Sequence, residues 1–193
     1  MSRNLFLLRH GSTGAHGRFI GTTDLPVSNS GLEQLNSTRR MLEQKAITTV
    51  FCSPLLRCRQ TVESLQLDAK VIEQPNLREI DFGAWEGLTF PEIAADWPGL
   101  VNEWASCSVD FTFPDGEKIS DFLQRINTVR QAIDTCPDKN ILVVAHGGVI
   151  RHLICLYLGL GPEHYLLFDI QAGCFSTLSL YSEGGILTSL NSG

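Results

Sequence analysis

The stretch Ile141–Gly148, with the sequence ILVVAHGG, indicates the fold most clearly. Its first five residues are the strongest strand candidate in the chain, and they end in a histidine followed by two glycines. The next segment, Val149–Leu158, is apolar and has helical character. A short apolar run that gives way to a helix is typical of a buried strand in a parallel sheet.

A second stretch, Asn4–Gly11 with the sequence NLFLLRHG, ends in the same way. The remaining apolar runs predict three layers, in which helices flank a mostly parallel central sheet, and hence an α/β fold. The other predicted strands are Thr48–Cys52, Ala69–Glu73 and two edge strands, Cys174–Tyr181 and Ile186–Leu190. The other predicted helices are one capped by Ser30 that contains Leu32, Leu35 and Leu42, one opened by Ser53 and Pro54, and Glu117–Ile133.

The bulk properties limit the class of protein. A length of 193 residues fits a single domain, which we expect to span residues 1-193. Lysine and arginine number 15 against 21 aspartate and glutamate residues, and the net charge of −6 disfavours a nucleic acid partner, which needs a cationic face. The apolar run Leu5–Leu8 is too short for a secretory signal or a membrane span. We therefore expect a cytoplasmic protein with no membrane partner.

Six scattered cysteines are expected to be reduced core thiols rather than a disulfide framework. They form no C-x-x-C pair, which disfavours a zinc site. No carboxylate cluster or Walker-type loop is visible either, so we predict no metal and no cofactor. The cysteines are Cys52, Cys58, Cys107, Cys136, Cys155 and Cys174.

The two histidines that follow the strands, His10 and His146, predict an anion site. In open α/β sheets, ligands bind outside the carboxyl ends of the strands. Arg9 lies beside His10, and Arg57 lies near the start of the second helix. Guanidinium groups match phosphate oxygens in a bidentate way, so phosphate is the expected anion. Arg59 is either part of this site or part of a solvated helix face.

The chain contains four motifs in this order: LRHG at Leu8–Gly11, SPLLRCRQT at Ser53–Thr61, LREIDFGAWEG at Leu77–Gly87 and VAHGG at Val144–Gly148. Together they resemble the histidine phosphatase superfamily, which includes the cofactor-dependent phosphoglycerate mutases. Gly116-Glu117 is similar to a fifth and weaker motif. The resemblance implies a phosphoglycerate mutase-like fold, with a cap-like irregular segment at about residues 75-116.

The resemblance also implies roles for individual residues. His10 is expected to be the nucleophile, while Arg9, Arg57 and His146 bind the phosphoryl oxygens. Glu79 is the expected general acid, with Asp81 and Glu86 as rivals. The chain has Ser12 where the family often has Glu or Gln, and His16 where it commonly has Asn. The expected substrate-binding residues are Gly11, Thr13, His16, Gly21 and Gly147. His152 and His164 match no motif and are expected to be structural.

The substrate is a small-molecule phosphomonoester in the hypothesis that we favour. A short chain leaves little room for the insertions that mutases of this family use to exclude water, so hydrolysis is favoured. The aromatic segment Trp85–Arg125 is most similar to the α-ribazole 5′-phosphate phosphatases of cobalamin biosynthesis, and its rings either stack on a base or pack the core and lid. A broad-specificity sugar or small-metabolite phosphatase, a phosphoglycerate mutase and a non-catalytic phospholigand-binding protein remain open. The oligomeric state is expected to be a monomer or a homodimer.

Overall fold

A six-stranded mixed sheet forms the centre of the molecule. The computed structural model describes residues 3–106 and 108–193, so Met1, Ser2 and Cys107 lie outside the described residues. The strand order is β3-β2-β4-β1-β5-β6. The four strands β1–β4 run parallel to one another, whereas β5 is antiparallel to β1 and β6 is antiparallel to β5. The strands are β1 (Arg3–Arg9), β2 (Thr49–Cys52), β3 (Lys70–Glu73), β4 (Asn140–Ala145), β5 (Phe175–Tyr181) and β6 (Gly184–Ser192).

Helices cover both faces of this sheet. Leu5 and Leu7 of β1 contribute to a core shared with α5 and α6, whereas Phe6 and Leu8 contribute to a core shared with α1 and α2. This alternation follows from the period of two residues along a strand. The predicted three-layer α/β class is confirmed. The helices are α1 (Asn29–Glu43), α2 (Leu56–Leu65), α3 (Phe90–Asp96), α4 (Pro98–Ala105), α5 (Ile119–Thr135) and α6 (Gly147–Leu158), with shorter 3₁₀ turns at Pro75–Leu77, Gly83–Trp85 and Pro162–Leu167.

The register of β1 against β4 positions the two motif histidines. Leu8 is paired with Val144 and Arg9 with Ala145 in this parallel ladder. His10 and His146 are therefore the next residues of both strands, and they leave the sheet at the same edge. The predicted convergence of the two strand ends is thus a consequence of register.

Some of the predicted elements differ in the structure. Ser28, not Ser30, caps α1, because its hydroxyl accepts from the backbone N–H of Gly31. Pro54 lies before α2 rather than in its first turn, since the helix begins at Leu56. β5 is not an edge strand, because it pairs with β1 on one side and β6 on the other.

The segment expected to be irregular contains the two short helices α3 and α4. Thr89 and Glu92 form a reciprocal capping box that begins α3. Pro98 occupies the first turn of α4, where its missing N–H costs no hydrogen bond. Around Trp85, which has no exposed surface, the segment packs aromatic rings edge to face with centroids 5.3–6.0 Å apart.

Within residues 3–106 and 108–193, no helix has the length and apolar character needed to cross a membrane. The five cysteines that the structure describes are all free thiols: Cys52, Cys58, Cys136, Cys155 and Cys174.

Candidate active site

His10 and His146 lie side by side at the carboxyl edge of the sheet. Their ring centroids are 5.1 Å apart, and the ring planes are inclined at 60°. The exposed fraction is 8% for His10 and 1% for His146, so both rings are buried. The site predicted from the two strand ends therefore forms as a compact pair.

The His10 ring has a defined tautomer. Its Nδ1 lies 2.8 Å from the carbonyl oxygen of Gly11, and a carbonyl can only accept a hydrogen bond. Nδ1 therefore carries the proton, and Nε2 keeps its lone pair. Burial lowers the pKa of His10 to about 3, and the positive charge of Arg57 adds to this effect. The ring is thus a neutral imidazole with Nε2 available as a nucleophile.

His146 has the opposite tautomer. Its Nδ1 accepts a hydrogen bond of 3.2 Å from Nε of Arg57, while its Nε2 lies 2.8 Å from the hydroxyl of Ser53. Since Nδ1 accepts, Nε2 donates to Ser53. Burial, followed by the proximity of His10 and Arg57, holds the pKa of His146 well below its usual value. His146 is therefore a neutral ring anchored at both nitrogens.

Arg57 is fully buried behind this pair. Besides its bond to His146, it donates to the carbonyls of Thr23 and Gly21, both at 2.8 Å. These three bonds use three of its five N–H groups. Arg57, like His146, lines neither of the cavities at the site, whereas Arg9, His10 and Glu79 do. Arg59, two residues further along α2, is exposed and lines neither cavity at the site.

Arg9 presents an unsatisfied donor at the site. Its Nη1 donates to the carbonyl of Ile170 at 2.7 Å, but its buried Nε has no hydrogen-bond partner among the described residues. Burial lowers the pKa of Arg9, and the nearby carboxylate of Glu79 opposes this effect. A buried cationic N–H without a partner is unfavourable, and an anionic oxygen would satisfy it.

Glu79 is held above the first turn of α6. Its Oε2 accepts from the backbone N–H of Gly148 at 3.0 Å, and its Oε1 accepts from that of Ile80 at 3.1 Å. A Cβ at position 148 would lie 2.6 Å from Oε1 of Glu79, so glycine there lets the carboxylate keep this position. The carboxylate is 8% exposed and faces the same cavity as His10.

Arg125 of α5 fixes the backbone of this segment. It donates to the carbonyls of Asn76, Arg78 and Glu79 at 2.6–3.1 Å. Glu117, from the weak fifth motif, accepts from the same guanidinium at 2.7 and 2.9 Å. The Glu117–Arg125 pair thereby positions Glu79 indirectly.

The two rival carboxylates have other contacts. Asp81 accepts from the backbone N–H of Gly83 at 2.9 Å. Glu86 accepts from the N–H groups of Gly21 and Thr23, which belong to the loop whose carbonyls hold Arg57. Neither residue lines a cavity at the site. Glu86 therefore supports Arg57, whereas Glu79 lines the same cavity as His10.

Two cavities meet at Arg9, His10 and Thr13. The first, of about 410 Å³, is mainly polar and includes Ser12 and the exposed His16. The second, of about 420 Å³, has a mainly apolar wall that includes six aromatic rings. Its rings come from Phe19, Phe82, Trp104, Phe113, Phe122 and Tyr165.

The predicted substrate-binding glycines have different places in the structure. Gly147 lines the aromatic cavity. Gly11 donates its N–H to the hydroxyl of Thr61 at 3.0 Å and lines neither cavity. Gly21 is also outside both cavities, and a Cβ there would lie 2.0 Å from the carbonyl of Ile80. Gly11 and Gly21 therefore shape the loops around the site.

Sequence reasoning gave no role to several residues that complete the site. Ser53 orients His146, and Arg125 positions Glu79, through contacts more than 40 residues apart in sequence. The carbonyl of Ile170 accepts a hydrogen bond from Arg9, and Ile170 belongs to none of the sequence motifs. Within the described part of the chain, no group of three or more histidine, cysteine or carboxylate side chains could hold a metal ion.

Comparison with known families and structures agrees with this arrangement. The family model described as Histidine phosphatase superfamily (branch 1) matches residues 5–193. The adenosylcobalamin/alpha-ribazole phosphatase of Escherichia coli is 29% identical over 197 residues, which cover 97% of this chain and 95% of that protein.

Solved structures with other names are similar to the same extent. A mycobacterial glucosyl-3-phosphoglycerate phosphatase is 25% identical and superimposes with a TM-score of 0.85 over 100% of both chains. A phosphoserine phosphatase from Entamoeba histolytica, solved with 3-phosphoglyceric acid, is 26% identical, with a TM-score of 0.83 over 98% of this chain and 97% of that one. These overlaps confirm the predicted phosphoglycerate mutase-like fold.

Proposed function

The chain belongs to the histidine phosphatase superfamily and is a phosphatase, and from this premise we propose that it hydrolyses phosphomonoesters through a phosphohistidine on Nε2 of His10. The observation that carries the proposal is the 2.8 Å hydrogen bond from Nδ1 of His10 to the carbonyl of Gly11. It leaves the Nε2 lone pair free at neutral pH, beside the unsatisfied Nε of Arg9.

The first chemical step transfers the phosphoryl group to the enzyme. The Nε2 lone pair attacks phosphorus and forms the P–N bond, while the P–O bond to the leaving group breaks and its electron pair goes to that oxygen. Protonated Glu79 donates its proton to the same oxygen. Arg9 and Arg57 donate to the phosphoryl oxygens, on which negative charge is spread during transfer. Splitting hydrolysis at this intermediate replaces one difficult step with two easier ones.

The second step returns the enzyme to its starting state. Glu79, now a carboxylate, takes a proton from a water molecule whose oxygen attacks phosphorus. The P–N bond breaks, its electron pair returns to Nε2, and inorganic phosphate leaves. His146 supports this arrangement through Arg57, because its Nδ1 accepts from that guanidinium while its Nε2–H is directed at Ser53.

For the natural substrate, we propose α-ribazole 5′-phosphate. The aromatic wall of the second cavity fits a leaving group that carries a flat base, and the Escherichia coli relative bears this name. The phosphoserine and glucosyl-phosphoglycerate phosphatases are similar to the same extent, so a broader small-metabolite phosphatase is the alternative. The cytoplasm is the proposed location, in keeping with five free thiols.

A substrate screen tests this specificity. The values of kcat/KM are compared for α-ribazole phosphate, phosphoserine, phosphoglycerates, sugar phosphates and nucleotides. We expect kcat/KM for α-ribazole phosphate to be at least about tenfold higher than kcat/KM for each of the other substrates. Similar values for all substrates would identify a general phosphatase instead. Interconversion of the two phosphoglycerates faster than their hydrolysis would identify a mutase.

Rapid quenching tests whether the protein is an enzyme of this mechanism at all. With a radiolabelled phosphomonoester, the wild type should retain protein-bound phosphate that is labile in acid and stable in alkali. His10→Ala should retain none, whereas His164→Ala, which changes a partly buried histidine that lines neither cavity, should match the wild type. Absence of label in the wild type during turnover would contradict the covalent mechanism.

A further inference from the structure

His152, which matches no motif and was expected to be structural, lies in the wall of the aromatic cavity. It is in the second turn of α6, and 4% of its surface is exposed. Its ring stacks on Tyr165 with centroids 4.8 Å apart and an interplanar angle of 19°. The edge of Phe122 contacts it from another direction, with centroids 5.1 Å apart. The ring is therefore fixed in one orientation.

One nitrogen of this ring is committed to the backbone. Nδ1 lies 2.9 Å from the carbonyl of Gly148, which can only accept, so Nδ1 carries the proton. Burial lowers the pKa of His152 to about 4, and the ring is therefore neutral near pH 7. Nε2 is then an acceptor with a lone pair and no hydrogen-bond partner among the described residues.

The position of His152 relative to Glu79 shows which part of a substrate it meets. The N–H of Gly148 donates to Glu79, and the carbonyl of the same residue accepts from His152. Both side chains line the aromatic cavity. Glu79 protonates the leaving oxygen in the proposed mechanism, so His152 lies beside the rest of the leaving group.

We propose that His152 determines substrate specificity by accepting, at Nε2, a hydrogen bond from a hydroxyl or N–H group of the leaving alcohol. The preferred substrates are phosphomonoesters whose leaving group combines an aromatic ring with such a donor. This inference rests on the proposed phosphatase function and specifies its substrate class. An acceptor in an aromatic wall discriminates because a ligand without a donor leaves the acceptor desolvated and unpaired.

Matched pairs of substrates test the proposal. One pair is tryptophol phosphate and its benzofuran analogue, which replaces the indole N–H by oxygen. The other is phenylpropyl phosphate with and without a hydroxyl next to the phosphorylated carbon. In at least one pair, the wild type should favour the donor-bearing ester in kcat/KM by about tenfold, which corresponds to about 1.4 kcal/mol.

Three variants assign that preference to one side chain. His152→Phe should bring the ratio within the pair close to one, whereas His152→Gln, which can accept through its amide oxygen, should retain part of it. His164→Phe makes the same substitution outside the cavity and should leave the ratio unchanged. Because each ratio compares two substrates on one enzyme, a loss of folded protein does not alter it.

The outcomes separate this inference from the function on which it rests. Hydrolysis of both members of each pair with a ratio near one in the wild type would overturn the role of His152 and leave the phosphatase intact. A preference that persists in His152→Phe would overturn it as well. Failure to hydrolyse any of these esters, p-nitrophenyl phosphate included, would overturn the proposed function and this inference with it.

Discussion

At the residue scale, the site depends on which partner each histidine ring has. His10 and His146 follow equivalent strands and both are buried, yet a carbonyl holds Nδ1 of the first and a guanidinium holds Nδ1 of the second. The carbonyl requires a proton on Nδ1, whereas Arg57 requires a lone pair. One ring can therefore attack phosphorus through Nε2, and the other has its Nε2–H directed at Ser53.

Glu79→Gln tests the acid role of this carboxylate. Glutamine keeps the shape and can still accept from Gly148, but it cannot donate a proton to an alkoxide. We expect kcat for an alkyl phosphate to fall by about 10²–10⁴-fold, and that for p-nitrophenyl phosphate by much less, because nitrophenolate leaves without protonation. Steady-state kinetics on both substrates provides the measurement.

The exposed Glu33 of α1 supplies the control for this experiment. Glu33→Gln makes the same chemical change at an exposed residue that lines neither cavity and should leave both rates at the wild-type level. Equal losses on both substrates in Glu79→Gln would show that the carboxylate acts in some other way.

Much of the residue-scale account could be predicted from the sequence. Four ordered motifs predicted Arg9, His10, Arg57, Glu79 and His146, and the structure brings these side chains together. The predictions could not include backbone carbonyls, such as those of Gly21 and Thr23 that accept from Arg57. Every residue type has a backbone carbonyl, so the sequence does not show which of them make contacts. The contact of His152 with the carbonyl of Gly148, one helical turn away, could not be predicted for the same reason.

At the scale of elements, helix termini connect the scaffold to the phosphate site. Ser28 accepts from the N–H of Gly31 at 3.1 Å and donates to the carbonyl of Ser12 at 2.9 Å. One hydroxyl thus begins α1 and anchors the loop that follows His10. The periodicity of Leu35 and Leu42 predicted this helix, but Ser28 and Ser30 are equally good caps by residue type. Only the tertiary contact with Ser12 favours Ser28.

Replacing each serine in turn tests this assignment of the cap. Ser28→Ala should lower the free energy of unfolding by about 1 kcal/mol, the usual cost of removing an N-cap side chain. Ser30→Ala should change it by less than about 0.5 kcal/mol, as expected for an exposed position. Denaturant unfolding of both variants measures the difference. A larger loss of unfolding free energy in Ser30→Ala than in Ser28→Ala would show that Ser30 is the N-cap residue of α1.

The elements of the cap-like segment show the limit of pattern reading. The segment was expected to be irregular, yet Pro91 and Pro98 occupy the first turns of the short helices α3 and α4. A seven-residue helix has too few turns for a clear apolar period. Its stability comes from burial of Ile93 in the common core.

At the scale of the whole molecule, three buried neutral histidines link the active site to stability. The pKa values of His10 and His152 are lowered to about 3 and about 4, and that of His146 is held well below its usual value, all mainly by burial. On unfolding, each ring regains its ordinary pKa near 6.5 and binds a proton below that pH. The stability that these rings contribute is therefore complete above pH 6.5 and is lost as the pH falls toward 4.

The slope of stability against pH provides a direct test of this linkage. Each such histidine adds about 1.4 kcal/mol per pH unit to the slope between about pH 6 and pH 4.5. His152→Phe should reduce the slope by about that amount, because one proton fewer is taken up on unfolding. Denaturant titrations at closely spaced pH values measure it. A slope equal to that of the wild type would mean that His152 titrates alike in the folded and unfolded states.

The position of phosphate on the histidine ring tests the central claim most directly. The quenched phosphoenzyme is digested in alkali, and the two phosphohistidine isomers are separated and assigned by ³¹P NMR. Because Nδ1 of His10 donates to Gly11, we expect the phosphate only on Nε2 of His10. Phosphate on Nδ1 of that ring, or on any other residue, would contradict the mechanism.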